Sequence, residues 1–187
     1  MNIETLLPKV GNTRLIAIDG HGGSGKSTLA ELLAKRFHAE IIHTDDFSGW
    51  DNPEKWWPLV IERVFEPINN GATKLSYPRS KWWDTHNPEP VVEQPVTSII
   101  ILEGVSALRK EFRPYISFGI FVDTPMEICL QRGFERDKGQ DGKSDDEIRR
   151  IWENWYLKED VYISRDDPKA YADMVIRGTE DYKSQIL

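Results

Sequence analysis

The stretch from Gly20 to Ser27 constrains this chain more than any other. It reads Gly-His-Gly-Gly-Ser-Gly-Lys-Ser and matches the pattern G-x-x-x-x-G-K-[ST] at every fixed position. The apolar run 14–19 before it predicts a buried strand, and residues 27–37 after it carry leucines at helical spacing. Because the pattern needs a turn between a strand and a helix, we predict a phosphate-binding loop here.

The residue types of this loop suit a polyphosphate. Glycines let successive backbone N–H groups point inward, and the helix that follows adds about half a positive charge at its N-terminus. Lys26 would reach the β- and γ-phosphates, and the hydroxyl of Ser27 would bind Mg²⁺. We therefore expect a nucleotide to be bound by Gly20, His21, Gly22, Gly23, Ser24, Gly25, Lys26, Ser27 and Thr28.

Length and charge exclude several classes of protein. A chain of 187 residues, 39% hydrophobic and 29% charged, is typical of a single globular domain, which we expect to span residues 1–187. The net charge of −7 argues against a nucleic-acid partner and favours a small molecule. Cys129 is the only cysteine, so no intramolecular disulfide can form, and we expect a cytoplasmic protein. Because Cys129 falls within a helical pattern, we expect its thiol to be buried and inert. Neither a membrane span nor a signal peptide is expected.

Apolar runs and helical patterns alternate along the rest of the chain. Further strands are predicted at 39–43, 98–102, 118–122 and 174–176. Helices are predicted at about 53–69, 125–137 and 145–162, the last two beginning at capping boxes at 124–127 and 144–147. Strands that alternate with helices predict a parallel sheet covered on both faces. Residues 48–98 outside the first of these helices are predicted to be irregular.

Carboxylates follow two of the predicted strands. Asp45 and Asp46 come just after the second strand, and Glu103 comes directly after 98–102. In open α/β sheets this edge is where ligands bind. An ionised carboxylate at the tip of an apolar strand is costly unless it has a partner.

Four segments together resemble a known family. They are Gly20–Ser27, Thr-Asp-Asp-Phe at 44–47, Leu-Glu-Gly-Val at 102–105, and the run 132–137, in this order. They are similar to the uridine kinase branch of the P-loop kinases, which also includes phosphoribulokinase and bacterial pantothenate kinase. The resemblance covers most of the chain and is weakest between residues 48 and 98.

The resemblance implies a P-loop NTPase fold, which is a three-layer α/β sandwich with a five-stranded parallel sheet. A tryptophan-rich insertion at about 48–98 would bind the acceptor, and a small lid would span about 132–146. The donor would be ATP with Mg²⁺, and the acceptor a small hydroxyl compound.

The resemblance also assigns roles to single residues. Asp45 matches the aspartate that takes the proton from the acceptor hydroxyl, a role worth roughly 10²- to 10⁴-fold; the alternative is a helix-capping aspartate. Glu103 matches an acidic residue near Mg²⁺, and the alternative is a structural salt bridge. Arg132 and Arg136 share one helix face and resemble lid arginines that neutralise the phosphates, whereas a solvated charged face is the alternative.

The acceptor side is assigned by a weaker resemblance. Tyr77, Arg79, Trp83 and Asp84 resemble a segment that lines the acceptor pocket. The tryptophans at 50–83 either stack on the acceptor, pack the insertion against the sheet, or form a contact in a homodimer. The insertion has eight acidic and five basic residues between positions 46 and 98, which favours a neutral acceptor over one with a phosphate.

We predict transfer of the γ-phosphate of MgATP to a hydroxyl of a nucleoside such as uridine or cytidine, or of a similar metabolite. A nucleoside monophosphate kinase and a P-loop ATPase or switch that acts on a protein partner are the alternatives. The chain has no Asn-Lys-x-Asp sequence that would read guanine. The four histidines lack the spacing of metal ligands, and they are predicted to be ordinary turn or surface residues: His21, His38, His43 and His86.

Overall fold

Five parallel strands form the central sheet. The structure is a computed structural model, and it describes residues 5–48, 56–79, 91–139 and 142–186. The strand order is β2-β5-β1-β6-β7, and every neighbouring pair is parallel. The strands are β1 Arg14–Asp19, β2 Glu40–His43, β5 Ile99–Glu103, β6 Ile116–Asp123 and β7 Met174–Arg177. The predicted α/β fold with a five-stranded parallel sheet is confirmed.

Helices connect these strands. α1 covers Lys26–Phe37, and a helix of three parts consists of α2 Trp57–Val60, a π-helical turn Ile61–Phe65 and α3 Glu66–Asn69. The remaining helices are α4 Met126–Asp137, α5 Asp145–Asp166, α6 Pro168–Tyr171 and α7 Tyr182–Ile186. No helix among the described residues is both long enough and apolar enough to cross a membrane.

The two predicted capping boxes have different outcomes. Ser144 and Glu147 form the box at the start of α5, as expected. The box predicted at Thr124 does not form, because α4 begins after Pro125 and has no side-chain cap. The hydroxyl of Thr124 instead donates to the backbone oxygen of Ser24 at 2.9 Å. A polar group that looked like a local helix signal therefore supports the glycine-rich loop.

One face of the sheet packs against the helix that follows β2. Leu15 and Ala17 of β1 are completely buried on this face, together with Val60, Val64 and Phe65 of the three-part helix. Part of the segment 48–98 thus belongs to the same apolar core as the sheet.

The other face is covered by the helix that follows the loop. Ile16 and Ile18 of β1 are buried there with Leu29 and Leu33 of α1 and with Ile186 of α7. Helices on both faces give the predicted three layers.

The insertion contains regular structure that the sequence pattern did not predict. β3 Lys74–Pro78 and β4 Val91–Pro95 form an antiparallel pair, in a region predicted to be irregular. Both strands are short and end in proline, and β4 has no fully buried side chain, so their alternation was a weak signal. Trp56 is buried and packs edge-on against Phe112, which supports the packing interpretation for this tryptophan.

Candidate active site

The glycine-rich loop connects β1 to α1 at the carboxyl edge of the sheet. Gly23 and Gly25 have φ of 77° and 102°, in the left-handed region that favours glycine. A side chain at Gly23 would collide with the backbone oxygen of Cys129. The loop is thus pressed against α4, and Cys129 itself is buried, as predicted. Burial raises the pKa of the Cys129 thiol, which keeps it unreactive.

The side chains of Lys26 and Ser27 lie at the start of α1. The ammonium group of Lys26 donates to the backbone oxygen of His21 across the loop at 2.8 Å. The hydroxyl of Ser27 donates to Oε1 of Glu103 at 3.1 Å. The loop is therefore joined directly to the carboxylate at the end of β5.

Glu103 is buried, but it has partners that keep it ionised. His43 lies opposite Glu103 in the β2–β5 register, and its Nδ1 is 2.8 Å from Oε2. Burial alone would raise the pKa of Glu103, but the hydrogen bond with His43 and the charge of Lys26 outweigh it. Its pKa is therefore below the usual value. The same contact raises the pKa of His43.

Asp45 lies in the short 3₁₀ turn Thr44–Asp46, directly after β2. Asp45 is exposed to solvent, but many protein atoms lie around its carboxyl. We refer to the space between Asp45, Glu103 and the glycine-rich loop as the cleft. Desolvation of the carboxyl by the surrounding protein and the negative charge of Glu103 raise the pKa of Asp45. The charges of Lys26 and Arg136 act in the opposite direction. Asp45 lies inside the turn, whose cap position is His43, so the helix-capping alternative is not supported.

The two predicted lid arginines face different surroundings. Both terminal nitrogens of Arg132 donate to the backbone oxygen of Gly178 at 3.1 Å, and one is 3.5 Å from that of Ser24. Arg132 also borders a cavity of about 270 Å³ beside the start of α1. The cavity is lined by Gly25, Thr28, Arg132, Gly178, Thr179, Glu180 and Tyr182.

Arg136 pairs with its acidic neighbour on α4 instead. Its Nε is 2.7 Å from Oδ1 of Asp137, and its guanidinium lies 5.3 Å from the ring centre of Trp152. The negative charges of Asp137, Asp45 and Glu103 all contribute to raising its pKa. The charge of Arg136 therefore acts on the carboxylates of the cleft.

Helix α5 contacts the loop through side chains that the sequence pattern did not reveal. Glu159 accepts hydrogen bonds from the backbone N–H of Gly22 at 3.1 Å and from Nδ1 of His21 at 3.0 Å. Tyr156 stacks on His21 and donates to the backbone oxygen of Gly22 at 2.6 Å. The prediction that His21 and His43 are ordinary turn or surface residues was wrong, because both pair with carboxylates of the site. The i, i+3 spacing of Tyr156 and Glu159 was the available signal.

Asp19, the last residue of β1, stabilises the start of the loop through hydrogen bonds. It is fully buried and accepts from the hydroxyl of Tyr162 at 2.6 Å and from the backbone N–H groups of Gly20, Ser106 and Leu108 at 2.7, 3.2 and 2.7 Å. Burial raises its pKa despite these bonds. This carboxylate therefore joins the start of the loop, the backbone of segment 106–108 and the Tyr162 side chain of α5.

The described acceptor residues lie beside the turn that carries Asp45. Tyr77 is buried in β3, and its ring lies 4.7 Å from that of Phe47. Arg79 follows β3, and its Nε is 2.7 Å from Oδ1 of Asp46. Trp83 and Asp84, the other two predicted acceptor residues, lie outside the described residues, as do Trp50 and Trp82 and, in the lid, residues 140–141.

The oxygens at the loop suit a hard cation. Across the four described ranges, no group of three or more His, Cys, Asp or Glu side chains could hold a metal ion alone. Mg²⁺ usually keeps several waters and binds one or two carboxylates together with substrate phosphates. Ser27 and the ionised Glu103, whose oxygens are 3.1 Å apart, fit that manner of binding.

Comparison with known proteins identifies the family. The profile of the phosphoribulokinase/uridine kinase family matches residues 61–184, which is well over half of the chain. The chain belongs to this family. Its members are kinases, so the chain is a phosphotransferase that acts on an alcohol group. Membership also implies ATP as the phosphate donor, typically with Mg²⁺.

Individual relatives agree with this assignment. Uridine kinases from Enterobacter sp. (strain 638) and Pectobacterium atrosepticum are 26% and 24% identical, and each alignment covers 87% of this chain and 85% of the relative. The solved structure of a possible uridine kinase from Bacillus stearothermophilus has a TM-score of 0.63 at 21% identity and covers 88% of both chains. This structural likeness shows the shared fold.

Proposed function

We propose that this chain transfers the γ-phosphoryl group of MgATP to a hydroxyl of a nucleoside, or of a similar neutral metabolite. The observation that carries the proposal is the convergence of Lys26, Ser27, Glu103 and Asp45 at one edge of the sheet. These residues are a cation for the phosphates, two oxygens for Mg²⁺ and a carboxylate with a raised pKa.

The loop would hold the donor. Backbone N–H groups of residues 20–28 and the start of α1 would surround the phosphates, with Lys26 on the β- and γ-phosphates. In the structure Lys26 donates to the backbone oxygen of His21, so it would exchange this bond for phosphate oxygens. Mg²⁺ would be held by Ser27, by Glu103 through water and by the phosphates, and it would supply positive charge to the transferring group.

Asp45 would act on the acceptor. The acceptor oxygen attacks the γ-phosphorus, a new P–O bond forms, and the bond between the γ-phosphorus and the β–γ bridging oxygen breaks to release ADP. The hydroxyl proton passes to the carboxylate of Asp45 and then to solvent. The raised pKa of Asp45 suits this role, because a base with a pKa nearer the working pH holds the proton more readily.

Two arginines would assist in different ways. Arg136, whose charge reaches Asp45 and Glu103, would offset negative charge on the reacting phosphoryl group. Arg132 would steady the loop through its contacts with Ser24 and Gly178, beside the cavity at the start of α1.

A nucleoside such as uridine or cytidine is the proposed acceptor. Uridine kinases that align with this chain over most of their length support it. The pairing of Arg79 with Asp46 supports a neutral acceptor over a nucleoside monophosphate. A P-loop ATPase or switch remains the alternative from another class.

The test is ADP release from MgATP with and without a panel of acceptors. The panel contains pyrimidine and purine nucleosides, their monophosphates, pantothenate and ribosylnicotinamide. We expect one neutral acceptor to raise the rate well above background, with the phosphorylated product seen by mass spectrometry. Stimulation by monophosphates alone would favour a nucleoside monophosphate kinase, and brisk hydrolysis that no acceptor changes would favour an ATPase or switch.

A further inference from the structure

We propose that Asp46 determines acceptor specificity: its carboxylate neutralises Arg79 beside the acceptor site and so excludes acceptors that carry a phosphate or carboxylate. This inference rests on the proposed function, since it concerns the same cleft. It gives Asp46 a task separate from that of its neighbour Asp45, which acts on the hydroxyl.

The carboxylate of Asp46 is held in place from two sides. Asp46 is 4% exposed, and its Oδ1 is 2.7 Å from Nε of Arg79. The hydroxyl of Tyr77 also donates to Asp46, and it accepts in turn from Nε2 of Gln94 at 3.3 Å. The Nε–H of Arg79 is not aligned as a hydrogen bond, so the contact with Asp46 is an ion pair at short range. The carboxylate of Asp46 thus joins the turn after β2 to β3, and Gln94 of β4 supports this contact through the Tyr77 hydroxyl.

Arg79 would be a binding site for anions if Asp46 were absent. Its side chain is 41% exposed at the end of β3, so an approaching ligand can reach it. A guanidinium offers five N–H donors in a fork that matches phosphate and carboxylate oxygens. With Asp46 at 2.7 Å, the charge that would attract an anion is already balanced.

The rest of the described insertion is balanced in the same way. Arg63 has its Nε 3.0 Å from Oε1 of Glu62, and Lys74 has its ammonium group 2.7 Å from Oε2 of Glu93. Each basic residue that the structure describes between positions 48 and 98 therefore has a carboxylate partner. Those two pairs are exposed on the surface, whereas the Asp46 pair has a buried partner next to Asp45.

The balance matters because the cleft already contains carboxylates. A monophosphate carries about two negative charges, which Asp45 and Glu103 repel. The Asp46–Arg79 pair has no net charge, so it does not offset this repulsion. A neutral acceptor meets no such repulsion and can use the oxygens of the cleft as hydrogen-bond acceptors.

The experiment compares the full chain with its Asp46→Asn variant. We would measure kcat/KM for uridine, or for whichever neutral acceptor the panel identifies, and the affinity for uridine monophosphate by calorimetry. We expect Asp46→Asn to bind the monophosphate at least tenfold more tightly, and the preference of the enzyme for the neutral acceptor to fall by a similar factor. In the double variant Asp46→Asn/Arg79→Gln, the gain in monophosphate affinity should disappear.

Matched controls are Glu62→Gln and Glu93→Gln, which free Arg63 and Lys74 at the exposed pairs; neither should change the preference. Equal monophosphate affinity in Asp46→Asn and the unmodified protein would overturn the inference, as would a gain that survives Arg79→Gln. If Asp46→Asn does not fold, Asp46→Ser provides the same comparison. Calorimetry measures binding without turnover, so it tests the role of Asp46 even if the protein phosphorylates no acceptor. Absence of phosphorylation with every acceptor would instead contradict the proposed function.

Discussion

The donor side and the acceptor side of the cleft are built by different means. On the donor side, the hydroxyl of Ser27, at the end of one continuous loop, donates to the carboxylate of Glu103 at the end of a neighbouring strand. On the acceptor side, Asp46 is held by Tyr77 of β3 and by Arg79 directly after it, more than thirty residues further along the chain. In the proposed function, local backbone geometry would therefore determine how the phosphates are bound, whereas side-chain pairs between distant parts of the chain would determine what accepts the phosphate.

The largest expected effect is at Asp45, where the two sides meet. Asp45→Asn keeps the shape of the side chain but removes the base, so kcat should fall by roughly 10²- to 10⁴-fold. The affinity for ATP, measured by calorimetry, should stay within a factor of about three, because the loop is untouched. A variant with unchanged kcat would remove Asp45 from the proton transfer.

The next effect should be confined to the donor side. Gly23→Ala places a side chain at a backbone φ of 77° and against the backbone oxygen of Cys129. Strain of this kind costs about 1 to 3 kcal/mol, so ATP affinity should fall by roughly ten- to a hundredfold. Calorimetry of ATP binding measures this loss. Gly71→Ala is the matched control, because Gly71 also has a positive φ of 81° but has no atom close to where the side chain would lie.

The same contrast explains what could be predicted from the sequence. The loop, its flanking strand and helix, and the positions of Asp45 and Glu103 follow from short patterns, because neighbours in sequence create them. The contact of His21 with Glu159 joins residues that are 138 positions apart in the sequence, so a pattern over a few residues cannot predict it. The β3–β4 pair was missed for a related reason. Its strands are short, and they are stabilised by packing against residues that are distant in sequence, which a local pattern does not show.

A loss of similar size, but in Mg²⁺ affinity, is expected from Glu103→Gln. The amide keeps one acceptor oxygen towards Ser27 but loses the negative charge that His43 and Lys26 stabilise. By analogy with other groups close to a metal, the apparent affinity for Mg²⁺ should fall by about ten- to a hundredfold. A titration of activity with Mg²⁺ at fixed ATP measures this, and saturating Mg²⁺ should restore much of the rate. A Mg²⁺ requirement identical to that of the unmodified protein would favour the salt-bridge alternative.

The pH dependence tests whether the donor side tunes Asp45. Protonation inactivates a base, so kcat/KM for the acceptor should fall as the pH drops through the pKa of Asp45. Because surrounding protein and the charge of Glu103 raise this pKa, the decline should occur at a higher pH than for an ordinary aspartate. Glu103→Gln removes a negative neighbour, so at saturating Mg²⁺ the decline should move to lower pH. A profile that does not move in this variant would contradict the coupling between Asp45 and Glu103.

The smallest effect should be confined to the acceptor side. Tyr77→Phe keeps the ring packed against Phe47 but removes the hydroxyl that donates to Asp46 and accepts from Gln94. A single hydrogen bond of this kind contributes about 0.5 to 1.5 kcal/mol, and Asp46 would then hold Arg79 less firmly. The KM for the acceptor should rise by up to about tenfold while the KM for ATP stays constant.

Tyr171→Phe is the control for this change, because its hydroxyl donates to the backbone oxygen of Arg113 at 3.5 Å, on α6 rather than in the insertion. It should alter thermal stability slightly and neither KM. If Tyr77→Phe raised the KM for ATP as much as that for the acceptor, the two sides of the cleft would not be independent. That result would contradict the hypothesis that the loop binds the phosphates and the insertion independently selects the acceptor. If only the acceptor KM responds, the hairpin influences acceptor binding, and the hydrogen bond from the Tyr77 hydroxyl to Asp46 is the contact through which the structure connects the two.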